Sequence, residues 1–157
     1  MTEGLDKLKK DYGVLAKKYK LPSFVELNSD FDIEKVSADS DVLLRGIRKQ
    51  ILEKIVATLQ FLELLLNPVN APRIYLSFVK QMNAEDRKNI DKVYEGLGQI
   101  SLNSIVLELS YDEKKEAVMI SEMNKDWNKV KPDLSKLLQR VSNPGNLIGK
   151  KERSYFG

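Results

Sequence analysis

The chain contains no cysteine and no histidine. Without cysteine there is no disulfide framework and no thiolate metal site. Without histidine, the commonest general base and the commonest transition-metal ligand are both missing. Zinc fingers, Ser-His-Asp triads, Cys-His dyads and HExxH sites are thereby excluded. Phosphate-cradling glycine loops are lacking too. Neither GxGxxG nor GxxxxGK[ST] occurs, and "EGLGQI" follows a helical pattern rather than a strand. The most apolar stretch, "IVATLQFLELLL", is 12 residues long, against the roughly 20 needed to span a bilayer. No basic leader precedes an apolar run. These absences lead us to expect a cytoplasmic, non-enzymatic protein with no cofactor and no membrane contact.

What remains is an ordinary globular balance, 42% hydrophobic and 31% charged over 157 residues. That length suits one domain burying roughly two thirds of its unfolded surface. The net charge of +3 is small for a dedicated nucleic-acid binder. The charge is unevenly placed. Residues 1–25 carry +3, residues 26–41 carry −5 and residues 140–157 carry +3. The plainest reading is that the basic ends pair with the acidic segment or are simply solvated. The sharper one is a basic patch of Lys10, Lys17, Lys150, Lys151 and Arg153 that touches RNA or an acidic partner.

Helical periodicity dominates. Leu5, Leu8, Tyr12, Leu15 and Tyr19 form one stripe over 5–19, and Pro22 opens a short turn through Asn28. Residues 28–41 read as an acidic loop anchored by Phe31 and Ile33, with Asp39, Ser40 or Asp41 capping the next helix. As a calcium loop this segment fails, because Lys35 stands where glycine is needed and Asp41 where glutamate is. A long helix is predicted over 42–66, striped by Leu44, Ile47, Ile51, Ile55, Leu59, Leu62 and Leu66. Towards its end it becomes apolar all round, as befits a central helix or one covered by a second subunit. Glu63, set within "FLELLL", must find a partner or stay at an edge, and a salt bridge or interface role is expected of it rather than catalysis.

A shorter helix follows Pro72 to about Gln81, and "NAED" is a capping box opening another through Ile100. There the apolar phase jumps by about a third of a turn to Leu102, Ile105 and Leu109. Either the helix breaks or twists near 98–101, or residues 104–111 form a strand; a strand without a partner is a poor structure, which favours helix. The last helix carries Met119, Ile120, Met123, Trp127, Val130, Leu134, Leu137, Leu138 and Val141 on one face, and Asn143-Pro144-Gly145 stops it.

The fold expected is therefore all-α. Residues 1–143 form a single helical bundle of about four main helices plus two or three short ones, and residues 144–157 form a C-terminal tail. With so little catalytic chemistry and a surplus of apolar helix face, the expected function is that of a binding or adaptor protein acting through protein–protein contacts. Its partner would be another protein or a second copy of the chain, through Phe61, Leu64 and Leu65. In the tail, Leu147, Ile148, Tyr155 and Phe156 either fold back onto the bundle or anchor a docking motif. The alternative function is an RNA- or ribosome-associated factor using the basic ends.

Overall fold

The computed structural model describes residues 2–39 and 41–142, without the side chains of Thr2, Val141 and Ser142. Six α-helices account for most of it: α1 (Thr2–Tyr19), α2 (Phe24–Phe31), α3 (Leu43–Leu66), α4 (Arg73–Gln81), α5 (Ala84–Val106) and α6 (Glu113–Ser142). Three 3₁₀ turns, Ile33–Lys35, Pro68–Asn70 and Leu107–Leu109, join them, and no strand occurs among the described residues. The chain is an all-α helical bundle.

The helix ends follow local chemistry. Lys20 adopts a left-handed conformation (φ 56°) and closes α1, with Leu21 N–H donating to the Ala16 carbonyl at 2.9 Å. Ser23 caps α2, its hydroxyl accepting from Glu26 N–H at 3.1 Å. Asp32, also left-handed, ends it. The segment expected to be loop from residue 28 is thus helical through Phe31, because the Ser23 cap carries the helix across the acidic residues. The anchors Phe31 and Ile33 are buried as expected. Among the described residues no acidic cap opens α3, and Ser40, also expected as a cap, lies outside them. Val42 occupies its N-cap position without a side-chain bond. The capping box at α5 is present in both directions, Asp86 N–H to Asn83 Oδ1 and Asn83 N–H to Asp86 Oδ2, each at 2.8 Å.

α3 is the central helix, packing against α2, α4, α5 and α6. Its N-terminal half shares a core with α1, α2, the end of α5 and the start of α6. Its C-terminal half shares a second, smaller core with α4, the start of α5 and the end of α6. So α3 and α6 run parallel and α5 runs antiparallel to both. Gly46 lets the 3₁₀ segment close on α3: a Cβ there would stand 3.0 Å from Val36 Cγ1. Trp127 is 6% exposed and stacks obliquely on Phe31, ring centroids 5.6 Å apart.

Residues 104–109 are helix and 3₁₀ turn and 110–111 are irregular, with no strand. The expected break near 98–101 is absent; α5 passes through Gly98 and Ser101 without interruption. Glu63 is exposed, so of the two alternatives for it the edge position is the one the structure takes. It sits on the one arc of α3 that α4, α5 and α6 leave to solvent.

Candidate functional site

Two features of the bundle call for explanation, and they occupy opposite sides of the same stretch of α5.

The inner side is a buried charge network. Arg48 lies on the apolar stripe of α3, in phase with Leu44, Ile51 and Ile55, and is fully buried. Glu116, from the first turn of α6, is 1% exposed. Arg48 Nε donates to Glu116 Oε2, and Arg45 Nε donates to Glu116 Oε1 at 3.1 Å. The rest of the Arg48 guanidinium is satisfied by Ser104 Oγ (2.8 Å), the Ser104 carbonyl (3.3 Å) and Glu108 Oε1 (2.7 Å). Arg45 also donates to the Leu107 carbonyl at 2.6 Å and lies over the Tyr111 ring. Burial alone would lower the Arg48 pKa, but the hydrogen bonds to Glu116 and Glu108 outweigh it and raise it above the ordinary arginine value. Hydrogen bonding from Arg48 in turn lowers the Glu108 pKa.

The network sits where two helix ends meet. The last carbonyls of α5 lack intrahelical partners and carry partial negative charge, which suits the two guanidiniums. The first turn of α6 carries partial positive charge, which suits Glu116. Nearby, the Tyr19 hydroxyl donates to Glu113 Oε1 at 2.7 Å, tying α1 to the same end of α6. Both Glu116 oxygens are occupied by guanidinium donors. Chemically this arrangement clamps α3, α5 and α6 together and holds no open position between its charges.

The outer side is the reverse. On α5 the inward phase continues from Ile90, Tyr94 and Leu97 to the buried Ser101 and Ser104, with Ser104 bonded to Arg48, while Glu108 in the following 3₁₀ turn reaches Arg48 from a partly exposed position. The large apolar side chains turn outward instead. Leu102, Ile105, Val106 and Leu109 are 62%, 53%, 60% and 85% exposed. The spacing of Leu102, Ile105 and Val106 puts them on one arc of α5, rotated by roughly 110° from the inner face on 3.6-residue geometry, and Leu109 follows in the 3₁₀ turn. The phase jump in the sequence is thus an inside-out exchange within one unbroken helix.

A groove of about 770 Å³ runs between α5 and α6, floored by Ile90, Val93, Leu97, Val130, Leu134 and Leu137. Its rim mixes Asp86, Asp126 and Asp133 with Lys92, Lys129, Lys136 and Arg140. Among the described residues no group of three or more acidic side chains is placed to hold a metal ion.

Of the residues singled out from sequence, Leu65 is fully buried under α4, α5 and α6 and offers no surface. Phe61 and Leu64 are half-buried, Phe61 edge-on to Tyr75 at 5.7 Å. Lys10 and Lys17 are exposed on α1. Lys7, on the same helix, pairs with Asp39 at 3.0 Å, so part of the N-terminal positive charge meets the acidic segment within the chain. Lys150, Lys151, Arg153, Leu147, Ile148, Tyr155 and Phe156 lie outside the described residues. Sequence reasoning passed over Arg48 and Glu116, although a charge in phase with Leu44, Ile51 and Ile55 was a readable signal. No helix among the described residues is long and apolar enough to cross a membrane. No family model, curated protein or solved structure matches the chain.

Proposed function

We propose that this chain is a non-enzymatic, cytoplasmic binding protein that acts through protein–protein contact, and that its contact face is the outer stripe of α5. The observation carrying this reading is the stripe Leu102, Ile105, Val106 and Leu109. Single exposed apolar residues are normal on any surface, but a contiguous stripe of four on a rigid helix marks an interaction surface. Arg48 and Arg45 bond to the inner side of this segment at Ser104 and Leu107, which supports a fixed backbone beneath the stripe. The stripe is therefore presented pre-formed, which lowers the ordering cost of binding.

The test is affinity capture from the protein's own cell extract, comparing the intact chain with Ile105→Asp. The variant changes an exposed side chain, so its circular dichroism and melting temperature should match the parent. The reading requires that captured proteins are lost with Ile105→Asp and survive nuclease treatment. Capture that is abolished by nuclease and indifferent to Ile105→Asp would favour the RNA-associated alternative, carried by the exposed lysines of α1 and the basic tail.

A further inference from the structure

The groove between α5 and α6 opens beside the last described residues. Its lining starts at Arg140, just before α6 ends at Ser142, and follows α6 back to Asp126. That run of helix is about 21 Å long at 1.5 Å per residue. Asp86 of α5 pairs with Arg140 at the near end, and Gly96 and Leu97 of α5 lie at the far end. The α6 side is layered on 3.6-residue geometry. Leu134 lies deepest, then Val130 and Leu137, then Asp126 and Asp133, while Lys129 and Lys136 form the outer lip. The wall next to the apolar floor is thus acidic, and Asp126 and Asp133 make no ion pair among the described residues.

We propose that the segment from Leu147 to Phe156 of this same chain lies back along the groove. Its reach fits. Asn143-Pro144-Gly145 stops α6 and supplies the residues of a reversal. Leu147-Ile148 then fall at the near end, and Tyr155 stands eight residues after Leu147. Extended chain spans at most about 26 Å over that separation, enough to carry the aromatic pair to the far end. Its chemistry fits as well. The two apolar pairs meet the floor, Leu147-Ile148 towards Leu137 and Tyr155-Phe156 towards Leu97 and Val130. Between them, Lys150, Lys151 and Arg153 face the acidic wall, and Glu152 answers the lysines of the lip. A second groove, between α3 and α6, is within the same reach, but its lining includes Lys54 and Lys131 and no carboxylate. The basic segment finds no counter-charge there. Because the segment is tethered beside the groove, the contact is intramolecular and modest affinity suffices.

The chain has no cysteine, so a nitroxide attached to Gly157→Cys labels one site in the full-length protein. Amide spectra of the isotope-enriched protein are then compared with the nitroxide oxidised and reduced. The expected result is that Gly96, Leu97 and Asp126, at the far end of the groove, lose most of their intensity, while Ala57 and Thr58 on the α3 side keep theirs. Adding Tyr155→Ser/Phe156→Ser should return the lost intensity. Adding Asp126→Lys/Asp133→Lys should return part of it at Gly96 and Leu97. Broadening at Ala57 and Thr58 in place of Gly96 overturns the proposal, as does broadening spread evenly over the bundle. It is overturned equally if the broadening needs a mixture of nitroxide-bearing chains with separate isotope-enriched ones, because the segment would then belong to a second copy.

Discussion

Arg48 and Glu116 stand 68 residues apart in sequence, and they form an ion pair from which water is excluded, at 0% and 1% side-chain exposure. A pair buried this deeply recovers its desolvation cost only through complete hydrogen bonding, and here both partners are fully engaged. Arg48→Ala leaves the buried Glu116 with Arg45 alone, and Glu116→Ala leaves the buried Arg48 with Glu108 alone. Each should cost about 3–5 kcal/mol in urea denaturation. The double variant Arg48→Met/Glu116→Leu should recover roughly half or more of that loss, because no charge of the pair is left stranded. If the double variant is as unstable as the sum of the singles, the two residues act independently and the clamp does not exist.

Trp127 joins α6 to α2 through Phe31. Trp127→Ala should destabilise the protein by about 3–5 kcal/mol, the usual range for removing a large aromatic from a core. A measured loss below about 1 kcal/mol, typical of surface positions, would place this seam outside the core.

The Asn83–Asp86 capping box opens α5 from an exposed Asn83, and its Asp86 carboxylate also pairs with Arg140 of α6. Asn83→Ala should cost about 1 kcal/mol. The loss should appear equally in Asp86-containing and Asp86→Ala backgrounds only if the box is not formed; a reciprocal box predicts that the second substitution costs less than the first.

Acid stability follows from two carboxylates. Hydrogen bonding from Arg48 lowers the pKa of Glu108, and hydrogen bonding from Tyr19 lowers that of Glu113, each from an ordinary value of 4.5. A depressed folded-state pKa means that the unfolded chain binds more protons in the window below about 4.5. The stability these groups contribute is fully present above that value and is lost as pH falls through their folded-state values. Both carboxylates are about a third exposed, so solvent screens the effect and it should be modest. Chemical denaturation between pH 6 and pH 3 should show stability falling with acid, and Glu108→Gln/Glu113→Gln should flatten that limb. An identical acid limb in the variant would assign acid sensitivity to other groups.

Much of this architecture was legible in the chain because periodicity reports burial directly. α3 begins one residue from its expected start and ends where Asn67-Pro68 stops it, and α6 presents Met119, Ile120, Met123 and Trp127 to the core. What periodicity hid is where burial and polarity part company. Ser101 and Ser104 look like an outer face and are buried, and Ser104 with the partly exposed Glu108 supplies the acceptors a buried arginine needs. Arg48 itself was masked by its own charge within an otherwise apolar stripe. The acidic run after Asn28 read as loop because its composition outweighed the Ser23 cap. Leu65 was expected at a surface because nothing in α3 itself announces that α4 folds back over it.

The clamp also orders events during synthesis. Every acceptor of Arg48 lies downstream, the nearest in Ser104, 56 residues later. A growing chain that has emerged only through α4 holds α3 with both its apolar faces and its inward arginine unmatched. No native docking of α3 relieves that charge until the turn into α6 has left the ribosome and Glu116 can swing back. On this geometry the arginine would act as a checkpoint in time, its charge unmatched until the helices that complete it exist. Chains halted upstream of residue 104 should remain protease-sensitive, and protection should arrive in one step once Glu116 is available.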